Sequence, residues 1–88
     1  MVSYEVWWKR SAEEDLRKID RQQIPHIIKT IETLQVNPLT SHCRKLQGAT
    51  NIYRIRAGDY RVIYHVDSDV KRVTIYYIRH RREVFRSL

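Results

Sequence analysis

The chain has 88 residues, the length of one small domain, so residues 1–88 are read as a single domain without a separate cofactor-binding unit. Its formal net charge is +7. Residues 1–44 carry 7 basic and 6 acidic groups, whereas residues 45–88 carry 10 and 4, and 8 of those 10 cations are Arg. Because the planar guanidinium group suits phosphate, this asymmetry predicts a polyanionic partner: nucleic acid, an anionic membrane or an acidic protein.

Several protein classes are excluded by composition. The single cysteine, Cys43, allows neither an internal disulfide nor a cysteine-based zinc cage. The longest uncharged run has 11 residues, which is too short to span a membrane. Glu5 interrupts the N-terminal apolar residues and no small-residue cleavage site follows, so we expect no signal peptide and a reducing, cytoplasmic location.

The chain begins with a predicted strand and a short helix. Polar and apolar residues alternate over residues 2–8, which is typical of a strand. Ser11 and Glu14 have capping-box spacing and predict a first helix over residues 12–20. We expect both tryptophans of the strand to pack beside the helices: Trp7 and Trp8.

A second helix has the clearest period in the sequence. Its apolar stripe follows helical spacing and comprises Ile24, Ile27, Ile28, Ile31 and Leu34. A start near Gln22 places Pro25 in the first turn, where its missing N–H costs little, and Asn37-Pro38 ends the helix. The tight connection predicts an antiparallel helical hairpin.

The second half of the chain changes to a period of two. Residues 37–51 predict a loop, and strands are predicted over residues 52–56, 60–66 and 71–79, with Gly58 supplying a positive φ in the first turn. The order is therefore β-α-α-β-β-β. It predicts an α+β fold in which the helical hairpin packs on one face of a mainly antiparallel four-stranded sheet.

Alternation along these strands assigns their side chains to two faces. The face toward the helices is predicted to hold Tyr53, Ile55, Tyr60, Val62, Tyr64, Val66, Val73, Ile75 and Tyr77. The opposite face carries Arg54, Arg56, Arg61 and His65, with Tyr76 also on that side. Like charges on neighbouring strands destabilise a sheet, which favours an anion site there over a merely solvated surface.

A second basic cluster follows the last strand and comprises Arg79, His80, Arg81, Arg82 and Arg86. It is either part of the anion site or a solubilising tail. His26 and His42 have no metal-ligand spacing, and we interpret both as structural. No metal and no cofactor are predicted.

The motifs Tyr53-Arg-Ile-Arg56, Gly58-Asp-Tyr-Arg-Val-Ile-Tyr64, Arg79-His-Arg81 and Glu83-Val-Phe85 resemble those of the RelE/ParE superfamily of toxin-antitoxin toxins. The resemblance covers nearly the whole chain and includes Lys45-Leu-Gln-Gly48. RelE-like members cut mRNA in the ribosomal A site, whereas ParE-like members poison DNA gyrase on nearly the same scaffold.

The resemblance to the RelE branch implies metal-free cleavage, in which the ribose 2′-hydroxyl attacks the adjacent phosphate. Arg54 and Arg56 match two basic positions before the turn, Arg61 matches the phosphate-binding arginine, and Arg81 matches the later one. Such cations would stabilise the charge that develops on the phosphate. The implied partners are a cognate antitoxin, the ribosome and mRNA, with no membrane.

The family's tyrosine position falls on Phe85, which lacks a hydroxyl group. His80 is therefore the candidate general acid or base, with a plain surface histidine as the alternative. Further candidates for substrate contact are Arg79, Arg82, Phe85 and His65. Two other functions stay open: a ParE-like gyrase inhibitor, and a non-catalytic remnant that binds antitoxin or nucleic acid.

Overall fold

The computed structural model describes residues 3–40 and 42–82, which form two helices and five strands. The elements are β1 (Glu5–Trp8), α1 (Arg10–Arg17), α2 (Ile24–Val36), β2 (Cys43–Lys45), β3 (Ile52–Ala57), β4 (Tyr60–Asp67) and β5 (Arg72–His80). The strands form a sheet in the order β1-β5-β4-β3-β2, in which only the β1–β5 pair is parallel among these elements. The predicted α+β fold with a mainly antiparallel sheet is confirmed, with one more strand than predicted.

Helix α2 supplies its apolar stripe to the core. Ile27, Ile31 and Leu34 are buried, and the helix packs against β1, β3 and β4. Pro25 lies in the first turn and Asn37 caps the end in an extended conformation, as the sequence predicts. Among the described residues, no helix has the length and apolar character needed to cross a membrane.

The sheet face toward the helices is apolar and closed. Its buried side chains include Ile55, Val62, Tyr64, Val66, Val73, Ile75 and Ile78. Tyr64 is completely buried and donates a hydrogen bond of 2.7 Å to the carbonyl oxygen of Pro38, which ties the segment after α2 to the sheet. Burial, with a smaller effect of Cys43, raises the pKa of the Tyr64 hydroxyl, so it stays protonated and remains a donor.

The predicted capping box is wrong, because Ser11 satisfies a strand instead of its own helix. Helix α1 begins at Arg10, two residues before its predicted start, and the Ser11 hydroxyl donates to the Tyr76 carbonyl oxygen at 2.6 Å. The Asp15 carboxylate accepts from the Ile78 N–H at 3.0 Å. Strand β1 pairs with β5 only as far as Ile75, so these two side chains of α1 satisfy the strand edge that β1 leaves uncovered.

A β-bulge in β5 reverses one predicted assignment. Ile63 pairs with Tyr77 and Tyr64 pairs with Ile75, which leaves Tyr76 as the extra residue. The alternation therefore shifts by one position, and Tyr77 lies on the face away from the helices with 36% of its surface exposed. The prediction that Tyr77 belongs to the core face is wrong for this reason.

Two further expectations need correction. The segment predicted as a loop contains strand β2, whose Cys43 pairs with Ile55 at the edge of the sheet. Three residues are too few to show an alternating pattern. Trp8 packs against the core, but Trp7 is 52% exposed and lies under the Arg72 guanidinium group, 4.1 Å from its carbon to the ring centroid.

Candidate active site

A tight turn between β3 and β4 brings two of the predicted arginines face to face. The register pairs Arg56 directly with Arg61, and Gly58 in the two-residue turn has a φ of +63°, where glycine is favoured. The Arg56 Nε donates to the Gly58 carbonyl oxygen at 3.1 Å, which orients the guanidinium group. Arg54 lies on the same face two residues earlier. Opposed like charges cost folding free energy, so this arrangement needs an explanation beyond stability.

Strand β2 extends this charged face by one more row. Arg44 pairs with Arg54, and His42 stands one residue before β2, in line with Arg56 if the register is continued. A cleft of about 290 Å³ results, lined by His42, Arg44, Arg54, Arg56 and Arg61. We call it the arginine cleft. Of the described side chains, no carboxylate lines it, so it is suited to hold an anion.

The segment after β5 adds another arginine beside the cleft. The Arg81 N–H donates to the Asp59 carbonyl oxygen at 2.8 Å, which ties this segment to the β3–β4 turn. The Nη1 atom of Arg61 is 3.5 Å from the Arg81 carbonyl oxygen. These two contacts hold the β3–β4 turn and the segment after β5 together beside Arg61.

Burial and the neighbouring positive charges both affect the pKa of Arg61. Its pKa is lowered from the ordinary arginine value, first by burial and then by the positive charges of Arg54, Arg56 and Arg81. Arginine nevertheless stays protonated at neutral pH. The four arginines that the sequence predicts to act together are therefore close enough to repel one another, and a phosphate bound among them would relieve that repulsion.

Arg79 lies opposite Arg61 in the register, yet its surroundings differ. Its Nη1 atom donates to Asp15 Oδ1 at 2.7 Å, and its guanidinium carbon lies 4.7 Å from the centre of the Tyr77 ring. This arginine therefore has a carboxylate partner from α1. Its predicted contact with substrate stays a prediction.

The structure does not bring His80 into the arginine cleft. His80 pairs with Tyr60 across the sheet, and the two rings meet edge to face with centroids 5.4 Å apart. Tyr60 packs on the apolar core, so the imidazole lies on the helix side of the sheet, where it lines a cavity with Asp15 and Ile19. The His80 Nδ1 accepts the Arg82 N–H at 3.3 Å.

The remaining predicted substrate contacts are dispersed. His65 pairs with Ile52 and Thr74 at the other end of the sheet, and its ring stacks on Tyr76 with centroids 6.2 Å apart. Arg82 is the next residue after Arg81, whose N–H donates to the Asp59 carbonyl oxygen. Phe85 lies outside the described residues.

Sequence reasoning missed His42 and Arg44 as members of the site. Both lie in the segment 37–51 that the sequence predicts as a loop, and the structure places them in the arginine cleft because β2 pairs with β3. The interpretation of His42 as merely structural did not anticipate this position. The signal that identifies them is the register of a three-residue edge strand. Among the described residues no group of three or more His, Cys, Asp or Glu is placed to hold a metal ion.

Known toxin families match this chain in sequence. Residues 6–85 match the family model of the ParE toxin of the type II toxin-antitoxin system parDE. The chain belongs to this family. It is also 29% identical over 77 residues to a putative toxin RelE1 of Methanocaldococcus jannaschii, covering 84% of this chain and 86% of that protein. It is therefore a toxin of the RelE/ParE superfamily, as the motifs indicate.

Solved structures agree in fold. The toxin-antitoxin complex RelBE2 of Mycobacterium tuberculosis contains a chain that is similar with a TM-score of 0.80 and 25% identity, over 90% of this chain and 99% of that one. The archaeal RelE-RelB complex of Pyrococcus horikoshii matches with a TM-score of 0.79 and 26% identity, over 90% and 96%. The two-helix, mainly antiparallel architecture is thus that of RelE-type toxins.

Proposed function

We propose that this toxin is a ribosome-dependent endoribonuclease that cleaves translated mRNA in the A site. The observation that carries the proposal is the arginine cleft, in which Arg54, Arg56 and Arg61 converge without a lining carboxylate among the described residues. A surface that concentrates cations at the expense of sheet stability suits a phosphodiester ligand. The similarity to RelE1 and to RelE structures supports the same branch.

The proposed reaction needs no metal. The 2′-oxygen of the ribose forms a bond to the adjacent phosphorus, the bond from phosphorus to the 5′-oxygen breaks, and a 2′,3′-cyclic phosphate and a 5′-hydroxyl result. Negative charge builds on the non-bridging oxygens as the pentacoordinate state forms. Fixed guanidinium groups at Arg61 and Arg81 would stabilise that charge without reorganising, which is the largest single contribution in many enzymes.

The ribosome has a physical role in this proposal. The arginine cleft is open and lies on an exposed sheet face, so it offers little to hold a flexible single strand in one geometry. Positioning of the reacting groups is worth many orders of magnitude in rate. An mRNA already fixed in the A site would bring that positioning, and the toxin would supply the cations.

A cognate antitoxin is the proposed protein partner. The compared complexes pair RelE-type toxins with RelB antitoxins. The net charge of +7 favours a partner with acidic segments, and a disordered chain that folds on binding can wrap a large surface. We expect it to contact the helices and to cover the arginine cleft.

One observation favours a second function. The matching family model is that of ParE toxins, and the resemblance of this chain to that branch implies inhibition of DNA gyrase. The two functions predict different damage in cells. One cuts messages within reading frames, and the other leaves messages intact while DNA breaks accumulate in a gyrase-dependent manner.

Mapping of RNA 5′ ends by primer extension on a translated message separates them. Expression of the wild-type toxin should create new ends within codons, and Arg61→Ala should abolish them. Arg17→Ala, which removes an equal charge from an exposed position on α1, is the matched control and should cleave like the wild type. Intact message with gyrase-dependent DNA breaks would refute the endonuclease and support the second function.

A further inference from the structure

The arginine cleft contains a side chain that is able to accept a proton. Its lining consists of four arginines and His42. A guanidinium group has donors only and does not lose its proton in proteins, whereas a neutral imidazole has one nitrogen that accepts. Of the described residues that line the cleft, His42 alone can therefore act as a base.

Other candidates for that role are placed elsewhere. His80 lies on the helix side of the sheet beside Tyr60, and His65 lies under Tyr76 at the far end of the arginine-bearing face. Phe85, at the position of the family's tyrosine, carries no group that exchanges a proton. The reaction still requires a group that takes the proton from the 2′-hydroxyl.

We infer that His42 is the general base of this toxin, an assignment that rests on the proposed function. In the step, the neutral His42 imidazole takes the 2′-proton while the bond from the 2′-oxygen to phosphorus forms. The bond from phosphorus to the 5′-oxygen then breaks, and the departing oxygen takes a proton from water in the open cleft. The imidazolium finally returns its proton to solvent, so charge and atoms balance.

The position of His42 fits this role. The backbone N–H of His42 donates to Thr40 Oγ1 at 3.2 Å, which fixes the backbone just before β2. The His42 side chain is exposed, so an RNA strand could reach it. His42 directly precedes Cys43, the first residue of β2 that pairs with β3, and it lines the same cleft as Arg44 and Arg56. A phosphodiester seated on the guanidinium groups would thus have the imidazole at its side. The charged groups that share the cleft with it are Arg44, Arg54, Arg56 and Arg61.

The test measures single-turnover cleavage by the purified full-length toxin on ribosomes that carry a defined mRNA and an empty A site. His42→Ala should cleave about 100-fold more slowly or worse, the usual scale for loss of a general base. His26→Ala, which removes a histidine from an exposed position on α2 outside the cleft, should cleave like the wild type. Thermal unfolding of each variant checks that it is folded.

Chemical rescue separates a base from a group that only shapes the cleft. Added imidazole should restore cleavage by His42→Ala, and the rescue should follow the concentration of the free base as pH is varied. His42→Gln, which keeps a polar side chain of similar size, should stay as slow as His42→Ala.

Four outcomes would overturn the assignment. They are full activity in His42→Ala, full activity in His42→Gln, a loss that no imidazole rescues, and a rescue that follows protonated imidazole. If the wild type cleaves and Arg61→Ala does not, any of these overturns the role of His42 and leaves the proposed function standing. If the wild type itself fails to cleave, the proposed function fails, and the inference fails with it.

Discussion

Two arginines that face each other across β4 and β5 have opposite surroundings. Arg79 is paired with the Asp15 carboxylate at 2.7 Å, whereas Arg61 is surrounded by the charges of Arg54, Arg56 and Arg81. The first arrangement is satisfied within the protein. In the second, neighbouring positive charges repel one another, and an anion bound beside them would reduce that repulsion. The contrast teaches that the charges around an arginine, more than the number of arginines, decide where an anion would be favoured.

Removal of each arginine in turn, with cleavage of ribosome-bound mRNA as the measurement, should distinguish Arg61 from Arg79 most strongly. Under the proposed function, Arg61→Ala should slow single-turnover cleavage by about 100-fold or more, since it would remove a fixed cation from the developing phosphorane. Arg79→Ala should retain most of the rate when assayed well below its unfolding temperature. Equal losses in both variants would contradict the distinction between the two arginines.

For folding stability the order should be reversed, so that the contacts around Arg79 matter more than those around Arg61. Asp15 is mostly buried, and its carboxylate accepts from both the Ile78 N–H and Arg79, so Asp15→Ala should lower the free energy of unfolding by about 2 kcal/mol. Urea denaturation measures this change. Glu14→Ala alters an exposed carboxylate on the same helix and should change stability by less than about 0.5 kcal/mol. A similar loss in both variants would show that the Asp15 contacts carry no special weight.

Anion binding should stabilise the folded protein through the arginine cleft and not through the Arg79–Asp15 ion pair. Pyrophosphate at ten times its dissociation constant should raise the free energy of unfolding by about 1.4 kcal/mol, seen as a higher melting temperature. Sodium chloride at equal ionic strength is the control for general screening. Arg61→Ala should lose the pyrophosphate effect while Arg79→Ala keeps it, and an undiminished effect in Arg61→Ala would place the anion elsewhere.

The smallest expected effect is a gain in stability when a cation is removed from the cleft. The folded protein lowers the pKa of Arg61, so the unfolded chain holds that proton more tightly, and the protonated arginine destabilises the native state at neutral pH. Arg56→Ala removes one of the charges responsible and should raise the free energy of unfolding by about 0.5 kcal/mol at low salt. The gain should shrink at 1 M salt, and a loss of stability at low salt would contradict the repulsion.

The sequence predicted the elements whose pattern is long enough to repeat. The stripe from Ile24 to Leu34 determined α2, and alternation placed Arg54, Arg56 and Arg61 on one face, as the register confirms. What it missed depends on contacts between distant segments. The bulge that turns Tyr77 outward follows from pairing with β4, and the place of His42 follows from three residues of edge pairing.

Side chains with two possible partners were a second source of error. Ser11 has the spacing of a helix cap, yet its hydroxyl bonds to a carbonyl 65 residues away. Likewise, Arg79 belongs by sequence to the basic cluster, but Asp15 reaches it from α1 across a separation of 64 residues. Local patterns rank local partners first, and only the packed chain shows which partner is used.

The hydrogen bonds from Ser11 and Asp15 to β5 also make this edge of the sheet less available for pairing with a strand of another chain. An uncovered edge of a long apolar strand is a template on which a foreign strand can add itself. Here the Tyr76 carbonyl and the Ile78 N–H are already occupied by α1, so an incoming strand would have to break both bonds before pairing. Addition of a second copy of the toxin at this edge would therefore cost two hydrogen bonds that the folded protein already makes.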